Sequence, residues 1–532
     1  MIRSRQLFGA LFLCLCALAQ ARDPSIAERY LVVAAHPLAA EAGAKVLGRG
    51  GTAVDAAVAV QMVLGLVEPQ SSGIGGGAFL LHWSQEEKKL RSYDGRETAP
   101  AAAQPGRFLR EGKPMAFMDA VVGGRSVGVP GALRMLELAH KRHGALPWRT
   151  LFADAIRLAE KGFDAPPRLR AALAEEHFLD DSLFFEDGKP RTRVVNRAYA
   201  ETLRALAREG ADAFYRGAIA AEIVRAVRSH ANPGDISEAD LAGYRAIERE
   251  PVCGPYRGRR VCSMGPPSSG GVALLQILRI LERTAFARTP PHSPQAAHLF
   301  TEAGRLAFAD RARYLGDADF VPVPVARLLS DAYLDARSAL IGERSMAEAL
   351  PGDAERGTSH FSIVDARGDA VAMTSSVESP FGSRIVVRGF VLNNQLTDFD
   401  FVPGGANAVA PRKRPRSSMA PTMVFEKGAL ELVLGSPGGA MIINYVARAL
   451  VARIDWQLDL RAAIAAPNVG TRNGPTLLER DTPYAALEAS LGERGHQVVL
   501  TPLVSGLHAL ERAPGGWRGA ADPRRDGAAV GR

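Results

Sequence analysis

The hydrophobic pattern of this chain changes at Gly357. Downstream, 361–365, 370–377 and 389–394 are short runs rich in β-branched and aromatic residues, and 365–369 has turn composition. More strand-like runs follow at 422–425 and 430–434. Gly435-Ser-Pro-Gly-Gly439 then leads into a helical pattern over 440–454. Upstream, 37–66 is helical and Ala-rich. Gly50-Gly51 breaks it, and Thr52 is placed to cap a second helix with Val54, Val58 and Met62 along one side. The pattern predicts a strand over 78–83, a helix over 129–143, a helix-rich stretch over 147–231, strands over 251–263 and mostly helix over 272–345. Residues 515–532 read as turn-rich. Strands with helices on their faces predict layered α/β packing. At 532 residues, with 47% apolar and 23% charged side chains, the chain can bury a large core; this composition excludes disorder, coiled coil and collagen-like fibre.

The amino-terminal segment reads as an address. Arg3 and Arg5 precede an apolar run from Leu7 to Ala19, too short to span a bilayer, which ends in Ala19-Gln-Ala21. This predicts a secretory signal peptide over 1–21, with a short membrane anchor as the alternative, and a mature chain from about Arg22 that is periplasmic or secreted. Cys14 and Cys16 would leave with it, so Cys253 and Cys262 remain. They sit symmetrically about a turn at 256–259, which predicts a cross-strand disulfide, or else two small buried thiols. The net charge of +8 is modest for this length, and neither nucleic acid nor a membrane is an expected partner.

Several motifs carry little. Gly124-Arg-Ser126-Val-Gly128 fits a nucleophile elbow, but no distinctive acid and His follow it, so it reads as a tight turn. The glycines 73–77 lack the Lys-Ser/Thr of a phosphate loop and read as close backbone packing. His140 and His143 lack a third ligand nearby; no metal and no cofactor is expected. The basic run 411–416 reads as a solvated turn whose arginines face an anion.

A Thr that opens a strand, as Thr358 does, is bland alone. It gains weight from its company: Ser72-Gly-Ile-Gly-Gly-Gly77, Gly95-Arg-Glu-Thr-Ala-Pro100, Ser126-Val-Gly-Val-Pro-Gly131, Pro266-Pro-Ser-Ser-Gly-Gly271, Thr358-Ser-His360, Leu392-Asn-Asn-Gln395, Arg414-Pro-Arg-Ser-Ser-Met419 and Gly435-Ser-Pro-Gly-Gly439. In order and spacing these resemble the γ-glutamyltransferase (glutathione hydrolase) family of N-terminal-nucleophile hydrolases, across nearly all of the mature chain. The resemblance implies a four-layer αββα sandwich. It also implies a precursor that cuts its own Gly357–Thr358 bond into a large subunit, 22–357, and a small one, 358–532. The freed α-amine, with an unperturbed pKa of roughly 7.7–8.0, would act as base for its own hydroxyl.

The same resemblance assigns the substrate groups. Arg96 would bind the α-carboxylate of a γ-glutamyl group, with Ser417 and Ser418 as hydroxyl donors. Asp398 and Gln395 would hold the α-ammonium, and the Gly438 and Gly439 N–H groups would form the oxyanion hole, where one donor is worth about 2.7–4 kcal/mol. Ser376 stands where the family often has a second Thr, and Glu378 where many members have Asn. Only 399–416 separate Asp398 from Ser417, which implies no long lid. The expected substrates are glutathione and γ-glutamyl amides, with water, amino acids or peptides as acceptors. The rivals are a cephalosporin acylase of the same family, whose acyl groups lack the ammonium, and a periplasmic binding protein that is never processed.

Overall fold

The structure is a computed structural model that describes residues 26–179, 182–346 and 357–532. The expected signal peptide and the start at Arg22 lie outside the described residues.

Two seven-stranded antiparallel sheets pack face to face. The first runs Ile247–Arg249, Lys89–Gly95, Gly77–Ser84, Ala370–Glu378, Gly357–Val364, Leu31–Ala34, Ala528–Gly531. The second runs Ile26–Ala27, Gly516–Ala521, His508–Ala513, Ala429–Gly435, Thr422–Glu426, Arg259–Ser263, Val252–Tyr256. The period of two along each strand sorts side chains between layers. Val33, Trp83, Val364, Ala370 and Ala372 meet Met423, Phe425, Val433 and Leu510 between the sheets. Their neighbours Val32, Phe361, Ile363, Val371 and Met373 face the opposite way, onto the helices Pro37–Gly48, Ala53–Val67 and Ala132–His143. On the far side Val261, Val424, Leu432 and Leu434 bury the helices Gly270–Glu282, Pro294–Tyr314 and Ile442–Ile454. Three apolar interfaces thus make four layers, αββα.

The local signals act as their chemistry requires. Thr52 accepts from Asp55 N at 3.0 Å, and Asp55 Oδ2 accepts from Thr52 N at 2.9 Å, which closes a capping box on Ala53–Val67. The glycines 75 and 76 are packing devices: a Cβ would lie 2.2 Å from Val391 O or 2.1 Å from Ser376 O. Cys253 and Cys262 lie opposite one another and are joined by a disulfide.

Three expectations are corrected. Residues 515–532 are not turn-rich: Gly516–Ala521 and Ala528–Gly531 are paired strands. Their many glycines and alanines hide them, because partners on both sheets supply the order that propensity does not. In 389–394 only Phe390–Val391 forms strand. Asn393 leaves the ladder to give Nδ2 to Gly75 O and Gly128 O, at 2.8 and 2.9 Å. The basic run is solvated only at Pro411 and Arg412: Lys413, Arg414 and Arg416 are 3%, 5% and 9% exposed. Carbonyl oxygens, the buried Asp94 and the partly exposed Asp400 take up their N–H groups.

Candidate active site

Thr358 is the second residue of the Gly357–Val364 strand. The register shifts here: Gly357 pairs with Glu378, but Thr358 pairs with Ser376. Val377 is the extra residue, and its N–H donates to Ser71 O instead. The bulge sets the Thr358 and Ser376 hydroxyls side by side, 3.2 Å apart, at the end of the space between the sheets. Ser376 Oγ also donates to Gly357 O at 2.7 Å and accepts from Glu378 N at 2.9 Å. A hydroxyl has one proton to give. Ser376 spends its proton on Gly357 O, so Thr358 Oγ1 donates to Ser376 Oγ.

Among the described residues Thr358 Oγ1 has no other hydrogen-bond partner. His360 lies two residues along on the same face, but its ring nitrogens are taken by Thr374 Oγ1 and Ser362 Oγ, at 2.8 and 3.1 Å. Burial holds it well below its ordinary pKa. Ser126 is also spent: its Oγ, in a buried turn, donates to Val121 O at 2.6 Å. Among the described residues no side-chain base is hydrogen-bonded to the Thr358 hydroxyl.

Facing Thr358 is a charged wall. Arg96 follows the Lys89–Gly95 strand, with its N–H fixed to Asp94 Oδ1 at 2.8 Å. Its guanidinium is fully buried. Nε donates to Pro415 O at 3.1 Å, and Nη2 to Arg416 O at 3.3 Å and to Asp398 Oδ2. Asp398 ends the short helical turn Gln395–Asp398, and its Oδ2 also accepts from Gln395 Nε2 at 2.8 Å. That bond leaves Gln395 Oε1, a buried acceptor with no hydrogen-bond partner among the described residues. Glu378 Oε2 accepts from Ser379 Oγ and Asn394 Nδ2, at 2.5 and 2.6 Å. Ser417 Oγ accepts from Met419 N at 3.1 Å and Ser418 Oγ from Arg311 Nη2 at 2.8 Å, so each hydroxyl keeps its own proton to donate. Gly438 and Gly439, with φ of 129° and 54°, turn the chain into the helix Ile442–Ile454.

One cavity brings these together. Arg96, Thr358, Ser376, Glu378, Gln395, Asp398, Ser417, Ser418 and Gly439 line it, and Gly438 immediately precedes its rim. Met419, at the end of the 414–419 motif, and Ile442, three residues beyond the 435–439 motif, also line it, as apolar patches. Three more residues escaped that reading. Glu97 is buried, has no hydrogen bond on either carboxyl oxygen among the described residues, and lies 3.7 Å from Arg96 Nη1; burial pushes it up to about 8, towards the protonated form. Asn394 positions Glu378. Arg525, in the segment expected to be irregular, donates to Thr358 O at 3.3 Å.

Cation ligands are poorly supplied. His140 bonds to Leu146 O and His143 to Tyr93, at 3.0 and 2.7 Å. His298, Glu302 and His496 do cluster. Their polar atoms are engaged with one another, with Gly342 O, Thr476 and Arg305, and with the Ser345–Met346 segment.

The gamma-glutamyltranspeptidase family model matches residues 39–532. The chain belongs to the γ-glutamyltranspeptidase family. It is 36% identical to a glutathione hydrolase proenzyme of Bacillus subtilis (strain 168), covering 94% of this chain and 91% of that one. It is 38% identical to an acylase ACY 1 proenzyme of Pseudomonas sp. (strain SE83), covering 96% and 94%. The crystal structure of a cephalosporin acylase from Bacillus halodurans superposes with a TM-score of 0.86 at 29% identity, covering 100% of this chain and 99% of that one. The fold is that of the N-terminal-nucleophile hydrolases, and the family is one of hydrolases and transferases.

Proposed function

We propose that the chain is an exported, self-processing γ-glutamyltransferase and glutathione hydrolase. The observation that carries this reading is the solitary Thr358 hydroxyl, which has a carbonyl to attack and a serine to accept its proton, but no side-chain base. In the uncut chain, Ser376 polarises the Gly357 carbonyl with its hydrogen bond. Attack by Thr358 Oγ1 on that carbon, with the hydroxyl proton passing by way of Ser376 Oγ to the departing nitrogen, breaks the Gly357–Thr358 C–N bond and gives an ester; water then releases Gly357 as a carboxylate. The products are subunits 22–357 and 358–532. The new α-amine of Thr358 is the missing base, held on the atom next to its own nucleophile.

In turnover Thr358 Oγ1 attacks the γ-carbonyl of the donor. The Gly438 and Gly439 N–H groups bind the developing oxyanion, and the amine passes its proton to the leaving nitrogen. Water, an amino acid or a short peptide then takes the acyl group. The donor's free amino acid end has a carboxylate and an ammonium. Arg96 with Ser417 and Ser418 suits the first, and Asp398 with Gln395 Oε1 suits the second. An incoming zwitterion replaces the internal Arg96–Asp398 contact with two of the same sign pattern.

The second reading, a β-lactam acylase, is favoured by the likeness to the acylases in sequence and structure. A glutaryl group has no ammonium and would leave Asp398 and Gln395 without a ligand, so the γ-glutamyl reading is preferred. Initial rates with γ-glutamyl and glutaryl anilides test it. The proposal predicts a higher kcat/KM for the γ-glutamyl compound, and a preference for glutaryl would overturn it.

A further inference from the structure

A second cavity, of about 420 Å³, shares no lining residue with the Thr358 cavity. Its charge is one-sided: Arg245, Arg412 and Arg414 line it, with Asp240 as the one acidic lining residue. Asp240 is already satisfied. Its Oδ2 accepts from Ser237 N and Oγ at 2.9 and 2.6 Å, and its Oδ1 from Ala101 N at 2.9 Å. Arg414 is buried beside Asp94, with Nε 3.3 Å from its Oδ2. The other two are different. Arg245 gives Nη1 only to the Ala242 and Tyr244 carbonyls, and the Arg412 guanidinium has no ion-pair or hydrogen-bond partner among the described residues.

These two forks stand on a fixed floor. Arg412 N donates to Ala99 O and Ala99 N to Lys413 O, at 3.1 and 2.8 Å, which pins the 411–416 loop to the Arg96 loop. Tyr244 is a buried aromatic wall and donates to Arg96 O at 2.7 Å. Asp94, which neutralises Arg414, also holds Arg96 N. The wall of the second cavity therefore holds Arg96 C=O directly through Tyr244, while Asp94, the partner of the lining Arg414, holds its N–H.

We propose that this cavity is a second ligand site, for a small di- or tricarboxylate. Each unmatched guanidinium is a planar fork that fits a carboxylate in two parallel hydrogen bonds. The forks come from separate segments, so one ligand with two separated carboxylates satisfies both, and the volume suits such a molecule. A free phosphate would engage one fork and leave most of the space empty. The chemistry needs no bond to form or break.

Citrate is the probe, titrated calorimetrically into the purified full-length protein at fixed ionic strength. The expected result is saturable binding at one per chain, unchanged by excess glutamate and weakened at least tenfold in Arg245→Ala/Arg412→Ala. Arg412→Ala alone, an exposed side chain with no partner to lose, gives a smaller loss in the same direction and serves if the double variant fails to fold. Absence of saturable heat, an affinity untouched by these substitutions, displacement by glutamate, or tighter binding of phosphate than of citrate each overturns the proposal.

Discussion

The two walls of the Thr358 cavity are built from different forces. The wall with Thr358 and Ser376 is two adjacent strands of one sheet, and its hydroxyls are placed by a ladder register with one bulge. Its charged groups, Glu378 at the strand end and Arg525 on Thr358 O, make no hydrogen bond to the Thr358 hydroxyl. The opposite wall is assembled from loops far apart in sequence, at Arg96, Gln395–Asp398 and 415–418, and is held by buried charges. The comparison teaches a division of labour. On the proposed function, the strand wall fixes a reacting oxygen and backbone scission supplies its base, while the loop wall reads the substrate and has no part in that scission.

If the division holds, substitutions on the two walls fail in different ways. The largest effect is expected for Thr358→Ala, which should leave a single uncut band on denaturing electrophoresis and lower turnover more than about a thousandfold. Arg96→Lys comes next. It keeps the charge but loses the fork, so the protein should still process into two bands while kcat/KM for a γ-glutamyl anilide falls about 100-fold. An Arg96 variant that cannot process would break the comparison. Ser376→Ala removes one hydrogen bond to Gly357 O, worth about 1 kcal/mol, and should slow processing several-fold; Ser376→Thr, which retains the hydroxyl, should restore the rate.

The smallest effect concerns Glu97. Its folded-state pKa, about 8, lies above the ordinary carboxyl value of 4.5. Folding therefore favours the protonated form. The stability this contributes is complete below pH 4.5 and is lost as pH rises through about 8, by at most about 1.4 kcal/mol per pH unit. Glu97→Gln should flatten the pH dependence of Tm between pH 5 and 8. An unchanged slope in that variant would show that Glu97 is charged beside Arg96.

Much of both walls was legible in the sequence, for reasons particular to each residue. Thr52 announced its helix because the partners of a cap are local, and the glycines 75 and 76 were readable because only a bare Cα fits against Val391 O and Ser376 O. Of the residues expected at the site, all but Gly357 and Gly438 line the cavity directly. The register bulge was not legible, since it depends on which residue of Ala370–Glu378 is squeezed out of pairing. Nor were the carboxyl-terminal strands, whose glycines and alanines carry no β signal and whose order comes from partners such as Leu31–Ala34 and His508–Ala513. Arg414 and Arg416 were misread as solvated because a basic run looks the same from its sequence whether water or buried carboxylates surround it.

The central claim is that Thr358 becomes an amino terminus before it becomes a nucleophile. Intact mass and amino-terminal sequencing of the active, purified protein test it directly. The account predicts two fragments, the smaller beginning Thr-Ser-His-Phe. A preparation that turns over γ-glutamyl anilide at full rate while its chain is still continuous through Gly357–Thr358 would contradict it.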